Sequence, residues 1–488
     1  MKKIHIVSLG CPKNRVDSEV MLGVAEEDGF ELTQDPAEAE IIVVNTCGFI
    51  GPAKKESIDT IFALAELKET GACKKLVVAG CLSQRHPGEL AAEMPEVDHF
   101  LGSSDMLRLG EVLRGGAERM LVGNPAQWVI RASDPRTVST GRASAYVKIA
   151  EGCNRSCSFC VIPDLRGKQR SRSIDDVVQE VERLVEQGVF EINLVSQDTV
   201  AYGRDLRRAG EPKRAGDDLP TLVRRVADVP GVRWVRIHYL YPETLVPELL
   251  ELLGQHPRVL PYVDMPLQHA ADGMLRRMKR GHGGQRLRDV VEKLRKHVPA
   301  LVFRSAFIVG HPGETDAEFE ELMDFVKWAE LDRVGVFRFS DEESAQSYHL
   351  AGKVSAKVAS ARFRRLMTTQ RKISHRRNQE LVGKTLEVLV EGTSDEHEFV
   401  MMGRHGGQAP EIDGQVYLSG GDAKPGELRL VEVTEASDYD LVGELVDGPP
   451  LVEARAPKKR EPGRRVSLHL VPLAPRREVP SVLNEQSP

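Results

Sequence analysis

The chain has 488 residues, enough for about three domains of ~150 residues each, and its hydrophobic content of 41% allows ordinary buried cores. The formal net charge of −6 conceals strong local differences, and no apolar run reaches the ~20 residues that a membrane-spanning helix requires. The first residues enter a strand-like run at once, which predicts no signal peptide. Seven cysteines without an even disulfide framework indicate thiols or metal ligands in a reducing cytoplasm rather than a secreted, disulfide-linked protein.

Short apolar strands alternate with helical stretches over about the first 115 residues, which is typical of an open sheet of parallel strands. The strands are predicted at Lys3–Leu9, Glu40–Asn45 and Lys75–Ala79, and the helices around 16–27 and 52–68. This pattern predicts an N-terminal α/β domain.

A cysteine follows each of these three strands, at Cys11, Cys47 and Cys81. Because right-handed crossovers place the carboxyl ends of parallel strands at one edge of a sheet, we expect the three thiols to converge there as a three-thiolate site. Three buried structural cysteines are the alternative, since free cysteine is commonly interior. Cys73 precedes a strand and is interpreted as incidental.

A strand–helix pattern repeats six times from about residue 145 to residue 340. The predicted strands are Ala145–Ala150, Glu191–Ser196, Trp234–Leu240, Tyr262–Met265, Val302–Val309 and Val334–Phe339, and the predicted helices are Ile174–Glu186, Leu219–Ala227, Glu243–Leu253, Leu287–Lys296 and Asp316–Ala329. Six βα units favour an incomplete barrel, open on one side, with its site at the carboxyl ends of the strands.

The loop after the first of these strands contains Cys153, Cys157 and Cys160 with the spacing C-x3-C-x2-C. Three thiolates can hold a 4Fe–4S cluster and leave its fourth iron open to a small chelating ligand. This pattern indicates a radical enzyme that uses S-adenosylmethionine. A zinc half-site or a redox pair is the alternative for the last two cysteines alone. No cysteine follows Cys160 to complete a zinc site, and a redox pair leaves Cys153 unexplained.

A long basic helix is predicted over about Ala356–Leu381, and short strands with glycine turns predict a small β-barrel from Lys384 to Asp447. The barrel segment has four Lys or Arg against fifteen Asp or Glu. Since affinity for RNA comes from Lys and Arg, this barrel should repel RNA and attract a basic protein. An acidic surface that serves solubility alone is the alternative.

The last forty residues, 449–488, contain eight prolines, and their eight Lys or Arg against four Asp or Glu predict a disordered basic tail. The chain is therefore divided into an α/β domain with its own cysteine site (1–117), an incomplete barrel (139–378), a small β-barrel (379–447) and the tail (448–488).

Four segments together resemble one family, the methylthiotransferases. They are SLGCPKNRVDS (8–18), NTC (45–47), AGC (79–81) and GCNRSCSFC (152–160), and the resemblance covers about residues 1–447. It implies a radical S-adenosylmethionine core, a C-terminal barrel similar to a TRAM domain, two 4Fe–4S clusters and two molecules of S-adenosylmethionine per turnover. The implied ligands are Cys153, Cys157 and Cys160 for the catalytic cluster and Cys11, Cys47 and Cys81 for the auxiliary cluster. An external electron donor and a sulfur source are implied as well.

Two further segments, VSQDTVAYG (195–203) and YVDMPLQHA (262–270), resemble the RimO branch of this family. That branch modifies the β-carbon of an aspartate in the twelfth small-subunit ribosomal protein. A branch that modifies an adenosine of transfer RNA is the alternative, and it usually has a Gln-Ser-Gly-like run where Gln268-His-Ala stands here. A further alternative is a protein that is not an enzyme, namely an iron–sulfur carrier or scaffold that donates sulfur to partners.

The resemblance also implies residues near S-adenosylmethionine: Phe159, Gln197, Gly310 and Gly313. Core packing explains Phe159 almost equally well, and turn formation explains the two glycines. Asn14 and Asp17 are interpreted as groups around the auxiliary ligands or as helix caps. Gln197, Asp198 and Gln268 are interpreted as pocket residues or as residues that cap strands. His238 and His269 are left without a role.

Overall fold

A computed structural model describes residues 2–141, 143–206, 217–242, 245–394 and 400–454, and the backbone of 469–470. The chain forms two parallel sheets flanked by helices and a small, mostly antiparallel barrel, so the predicted fold class is confirmed. None of the helices in this part of the chain combines the length and the apolar character that a bilayer crossing requires.

The N-terminal sheet is parallel and has the strand order β2-β1-β3-β4-β5-β6. Its strands are β1 (Lys3–Ser8), β2 (Glu31–Leu32), β3 (Ile41–Thr46), β4 (Lys75–Gly80), β5 (His99–Leu101) and β6 (Met120–Leu121), and its helices are α1 (Pro12–Glu27), α2 (Gly51–Ala65), α3 (Leu67–Thr70), α4 (Cys81–Arg85), α5 (Pro87–Glu93) and α6 (Leu109–Arg114). Alternate residues of each long strand enter two separate cores, one on each face of the sheet. The three predicted strands are neighbours, so their carboxyl ends share one edge.

The central sheet has six parallel strands in the order β14-β13-β12-β11-β10-β7. They are β7 (Ser144–Lys148), β10 (Glu191–Val195), β11 (Trp234–Ile237), β12 (Val259–Asp264), β13 (Val302–Val309) and β14 (Arg333–Arg338); the pair β8 (Ala150–Glu151) and β9 (Arg170–Ser171) is separate. The first and last strands do not pair within the described chain, so the barrel is open on one side as predicted.

Helices cover the outside of this incomplete barrel around one large apolar core. They are α7 (Ile162–Arg166), α8 (Ile174–Glu186), α9 (Leu219–Ala227), α10 (Pro247–Gln255), α11 (Asp272–Arg277), α12 (Gly284–His297) and α13 (Asp316–Ala329). Two predicted helix starts differ from the structure. Helix α10 begins at Pro247, a residue suited to the first helical turn, rather than at Glu243, which lies outside the described residues, and α12 begins at Gly284 rather than at Leu287.

Helix α14 (Ala356–Gln379) leads to the C-terminal barrel. The barrel strands are β15 (Thr385–Thr393), β16 (Met401–His405), β17 (Val416–Ser419), β18 (Glu427–Ala436) and β19 (Leu441–Leu445). Pairing between β15 and β18 closes these five strands into a ring. The predicted small barrel is therefore confirmed.

Two short pieces of the predicted tail form strands. β20 (Val452–Glu453) pairs with β18, and β21 (His469–Leu470) pairs with the end of β1. Residues 455–468 and 471–488 lie outside the described residues, so disorder there stays a prediction.

Buried ion pairs join the three parts of the molecule. Asp17 of α1 contacts Lys148 of β7 and Arg166 of α7, each at 2.7 Å. Glu191 at the start of β10 contacts Arg404 of β16 at 2.7 Å. Because a buried charge is costly without its partner, separating the parts would leave these charges uncompensated.

Candidate functional site

Cys11, Cys47 and Cys81 lie at the same edge of the N-terminal sheet. Cys11 is the N-cap of α1 after β1, Cys47 follows β3, and Cys81 begins α4 after β4. Since β1, β3 and β4 are adjacent parallel strands, the fold brings together three thiols that are far apart in sequence.

The loops that carry these cysteines approach each other closely. A Cβ atom on Gly10 would lie 2.9 Å from Cβ of Cys47 and 3.2 Å from its Sγ, and one on Gly48 would lie 2.8 Å from the carbonyl oxygen of Cys81. Burial raises the pKa of Cys47 to about 12, and the neighbouring Cys81 and Cys11 thiols add to this rise because their negative charges would repel. Three thiolates at this edge therefore require a cationic centre among them.

Asn14 fixes this edge through its amide group. Its Nδ2 donates to the carbonyl oxygens of Leu9, at 3.0 Å, and of Thr46, at 2.9 Å, which belong to two of the cysteine loops. Its Oδ1 accepts from Nη2 of Arg166 at 2.6 Å and from the Cys81 thiol at 3.8 Å. Asn14 thus lies next to the cysteines and holds the chain around them by hydrogen bonds, and it does not cap α1.

The second group of cysteines lies on the loop after β7 and β8. Cys153 and Cys157 are buried and Cys160 is half-buried. Burial raises the pKa of Cys153 to about 11 and that of Cys160 to about 12, and in each case a neighbouring cysteine of the loop contributes. The loop thus gathers its three sulfurs in one small region.

Three N–H groups point at these sulfurs. The backbone N–H groups of Arg155 and Ile162 donate to Sγ of Cys153 at 3.4 Å and Sγ of Cys160 at 3.5 Å. Nη1 of Arg280 donates to Sγ of Cys157 at 3.2 Å. Such donors stabilise thiolates, which are the form that binds iron.

Both groups of cysteines fit a 4Fe–4S cluster by their chemistry. All six thiols are free, and each group has three sulfurs, which leaves one iron of a cluster open. Within the described chain, no three His, Cys, Asp or Glu side chains surround one point closely enough for a single metal ion. A cubane cluster binds its thiolates at different irons and therefore accepts a wider spacing than a mononuclear site.

The two cysteine groups are packed against each other. Cys81 lies in a small apolar cluster with Val161, the residue after Cys160, and with Leu165 of helix α7. Helix α7, which carries Leu165, contacts helix α4, which begins at Cys81. The edge of the N-terminal sheet and the loop of the central barrel therefore form one continuous site.

The four residues expected near S-adenosylmethionine have different surroundings. Phe159 is half-buried and packs with Met274 and Met278. Gln197 donates from Nε2 to Oε1 of Glu151 at 2.6 Å, and its own Oε1 is buried with no hydrogen-bond partner in the described structure. This oxygen of Gln197 is free to accept from a bound molecule.

The two glycines have clear structural reasons. Gly310 has φ +82°, and a Cβ there would lie 2.6 Å from Cβ of Ala359 on α14. Gly313 has φ +77°, and its N–H donates to the carbonyl oxygen of Gly352 at 2.8 Å. Turn geometry and close helix packing thus explain both glycines without a bound molecule.

His238 and His269 are both satisfied by buried partners. His238 lies 3.3 Å from Oδ2 of Asp264, and His269 lies 3.2 Å from Oε1 of Glu314. Gln268 has φ +73°, a left-handed conformation that is strained for a side chain of this kind and that is frequent at functional sites. It lies at the carboxyl end of β12, where the site is.

The sequence interpretation missed the cationic residues around the cysteines. Arg155 and Arg280 stack on the ring of Tyr241, at 3.8 and 4.2 Å from its centroid, and Nε of Arg155 donates to Asp198 at 2.5 Å. Arg166 lies between the two cysteine groups. Arg166 follows Cys160 by a few residues, so its position in the motif was the available signal, whereas nothing local marks Arg280.

Comparison with known families covers all three parts of the chain. A model of the Radical SAM superfamily matches residues 147–326, which include the C-x3-C-x2-C loop. A model described as Uncharacterized protein family UPF0004 matches residues 3–102, which include the first three cysteines of the site. A TRAM domain model matches residues 382–446, which form the barrel.

Curated relatives are similar along most of the chain. One from Sorangium cellulosum (strain So ce56), named ribosomal protein uS12 methylthiotransferase RimO, is 73% identical over 446 residues, 91% of this chain and 91% of the relative. One of the same name from Myxococcus xanthus (strain DK1622) is 50% identical over 473 residues, 97% of this chain and 96% of the relative. Among solved structures, the radical S-adenosylmethionine methyltransferase TsrM from Kitasatospora setae has a TM-score of 0.47 at 16% identity, over 69% of this chain and 75% of that one. The chain belongs to the RimO family of methylthiotransferases, which are radical S-adenosylmethionine enzymes.

Proposed function

We propose that this protein transfers a methylthio group to the β-carbon of an aspartate in the ribosomal protein uS12. The observation that carries the proposal is the packing of Val161 and Leu165, which follow the cysteine loop of a radical S-adenosylmethionine barrel, against Cys81, one of a second group of three free thiols. The names of the relatives support the substrate, and transfer RNA is not favoured.

The target position explains why such a site is needed. The hydrogen on an unactivated β-carbon is far too weakly acidic for removal by a side-chain base. S-adenosylmethionine and a reduced 4Fe–4S cluster, when bound, supply the radical that removes it, and a second cluster supplies the methylthio group. Two molecules of S-adenosylmethionine per turnover, an external electron donor and an external sulfur source complete the proposal.

The residues divide this work between the two cysteine groups. Cys153, Cys157 and Cys160 hold the catalytic cluster, and Arg280 stabilises the thiolate of Cys157. Cys11, Cys47 and Cys81 hold the auxiliary cluster, and hydrogen bonds from Asn14 fix the backbone next to them. Gln197 is held by its Nε2 donation to Glu151, and its buried Oε1 is available to orient S-adenosylmethionine.

The acidic barrel supports a basic protein as substrate. Several of its carboxylates are neutralised by arginines, as in the pairs Glu387–Arg233, Glu391–Arg404 and Asp413–Arg304. Glu432, Glu435 and Glu444 are exposed on neighbouring strands, and Glu432 lies directly opposite Glu444. We propose that this acidic face attracts the basic ribosomal protein and does not bind RNA directly. Free thiols at both sites also favour a cytoplasmic location.

Incubation of the anaerobically reconstituted enzyme with S-adenosylmethionine, a reductant, a sulfide source and either uS12 or transfer RNA tests the function. We expect a mass gain on uS12 that fragmentation places on one aspartate, together with 5′-deoxyadenosine. A thiomethylated nucleoside without a modified aspartate would overturn the proposal. Absence of 5′-deoxyadenosine under reducing conditions would instead favour a non-catalytic iron–sulfur carrier.

A further inference from the structure

We propose that Arg166 of the radical S-adenosylmethionine core is a positioning residue for the auxiliary cluster of the N-terminal domain. It holds Asn14 and Asp17 beside the cysteine loops and offsets the negative charge of the thiolates. Arg166 thereby raises the reduction potential of that cluster. The inference rests on the proposed presence of an auxiliary cluster at Cys11, Cys47 and Cys81.

Arg166 connects the two cysteine groups along the chain. It is the last residue of helix α7, which begins two residues after Cys160, and its side chain is 2% exposed. From there it reaches across to the N-terminal domain, where Nη2 donates to Oδ1 of Asn14 at 2.6 Å and Nη1 donates to Oδ2 of Asp17 at 2.7 Å. A residue adjoining the catalytic loop therefore fixes the surroundings of the auxiliary cysteines.

The charged side chains around Arg166 have a net charge of zero when the charge of a bound cluster is left out. Arg166 and Lys148 face Asp17 and Glu151, and all four side chains are at most 2% exposed. Asp17 contacts both cations at 2.7 Å, whereas Arg166 lies 3.6 Å from Glu151. The quartet is thus neutral and tightly held.

Arg166 is also the cation next to the auxiliary thiols. Nη2 of Arg166 and the Cys81 thiol both donate to Oδ1 of Asn14, at 2.6 and 3.8 Å, so the guanidinium lies next to this thiol. A cluster with three thiolates adds negative charge at this position. Net charge and hydrogen bonds to sulfur are among the factors that set the reduction potential of an iron–sulfur cluster. A fixed guanidinium here should therefore favour the reduced form.

The test measures the auxiliary cluster alone. In full-length protein with Cys153→Ala, Cys157→Ala and Cys160→Ala, only the N-terminal thiols remain to bind a cluster of about four irons. The midpoint potential is followed by electron paramagnetic resonance in this parent and after Arg166→Gln, Arg166→Lys and Arg172→Gln. Arg172 is a matched control, since it is 4% exposed and pairs with Asp176 and Glu180 instead.

We expect Arg166→Gln to shift the midpoint potential to a more negative value, Arg166→Lys to shift it less, and Arg172→Gln to leave it unchanged. An unchanged potential in Arg166→Gln, or an equal shift in Arg172→Gln, would overturn the inference. Lack of iron in the triple-alanine parent would overturn both the inference and the proposed auxiliary cluster, whereas a normal parent with an unshifted Arg166→Gln removes the inference alone.

If the Arg166→Gln variant does not bind iron, a second comparison tests the role of Arg166. Asp17→Asn removes an opposite charge from the same quartet and should shift the potential to a more positive value. The double variant Asp17→Asn with Arg166→Gln keeps the net charge of the quartet and avoids a buried unpaired carboxylate at residue 17. Its potential should be more negative than that of Asp17→Asn; equal potentials would contradict the role of Arg166.

Discussion

Both groups of cysteines have a buried guanidinium as a neighbour. Arg280 donates to Cys157 at 3.2 Å, and Arg166 lies beside Cys81. Cys73 is buried as well, but its thiol faces the carbonyl oxygen of Lys75 at 3.5 Å. A ligand thiol and a structural thiol of the same domain can therefore be told apart by experiment.

Cys47→Ala should lower the iron content from ~8 to ~4 per chain, since it removes a ligand of one of two 4Fe–4S clusters. Formation of 5′-deoxyadenosine should continue, because the loop with Cys153 is intact, but methylthio transfer should cease. Cys73→Ala is the matched control and should keep both iron and activity. Iron analysis and product mass spectrometry check this, and full product from Cys47→Ala would contradict the assignment.

The cysteines could be found from the sequence, but Arg280, which donates to Cys157, could not. Spacing marked the loop at Cys153, and strand ends marked Cys11, Cys47 and Cys81 because parallel strands share an edge. Arg280 lies 123 positions from Cys157, so only the folded barrel brings them together. Gly310 and Gly313, in contrast, were marked by a family motif in the sequence, and the structure explains them by close packing against α14 and by a turn.

At the scale of elements, the length of a strand decided whether the sequence could reveal it. All six strands of the central barrel were predicted, and they have four to eight residues. β2 and β6 of the N-terminal sheet have two residues each and were missed. Two residues are too few to show the alternation of apolar and polar residues that marks a strand in a sequence. Such short strands form because neighbouring strands provide hydrogen-bond partners.

Glu191 of β10 should be important for attachment of the C-terminal barrel. Burial opposes its ionisation, but Arg404 and Arg236 lower the pKa of Glu191 to about 2. Glu191→Gln should lower the free energy of unfolding by about 3 kcal/mol, since it leaves buried guanidinium charge uncompensated. Asp59→Asn, in the exposed pair with Lys55, should change it by less than ~1 kcal/mol. Urea denaturation of both variants checks this.

The same pair predicts an acid dependence. A carboxylate with a lowered pKa in the folded state stabilises that state fully above the ordinary glutamate value of 4.5, and this contribution falls as the pH decreases toward about 2. Wild-type stability should therefore fall through this range, and Glu191→Gln should fall less steeply. Equal slopes for the two proteins would show that Glu191 is not linked to unfolding.

The acidic face of the barrel should have opposite effects on stability and binding. Like charges directly opposite on antiparallel strands destabilise a sheet, as Glu432 and Glu444 do here. Replacing both by glutamine should therefore raise barrel stability by up to ~1 kcal/mol while weakening binding of uS12 at low salt. Glu93→Gln with Glu118→Gln, exposed on the N-terminal domain, is the control for net charge. Unchanged affinity in the barrel variant would mean that the acidic face serves solubility alone.

At the scale of the whole molecule, function requires that two separately folded sheets present their cysteines to one another. The central sheet has one large core, and one core of the N-terminal sheet also includes Tyr146 and Val195 of the central sheet. The contacts between the sheets include buried charges such as Asp17 with Arg166. The sequence predicted two sites on two domains, but the residues that pair across the domains are far apart in the chain, 149 positions for Asp17 and Arg166 and 288 for Lys54 and Glu342. Only the assembled structure identifies them.

Glu342 is such a residue, and it tests whether domain contact and sulfur transfer are linked. It follows the central barrel and accepts from Lys54 and Arg85 of the N-terminal domain at 2.7 Å each, with its side chain 2% exposed. Although burial opposes this, hydrogen bonds from Lys54, Ser340 and Arg85 lower the pKa of Glu342. Glu342→Gln therefore weakens two charge-assisted contacts between the domains without touching either cysteine group.

We expect Glu342→Gln to keep about eight irons and to form 5′-deoxyadenosine at the wild-type rate. The ratio of 5′-deoxyadenosine to modified uS12 should rise several-fold, because a looser N-terminal domain presents its sulfur less often to the substrate radical. Glu343→Gln, at the adjacent exposed position, should keep the wild-type ratio. Chromatography of 5′-deoxyadenosine and mass spectrometry of uS12 in the same reaction give the ratio. A wild-type ratio in Glu342→Gln would mean that the remaining contacts, centred on Asp17 and Arg166, are enough to hold the two cysteine groups together.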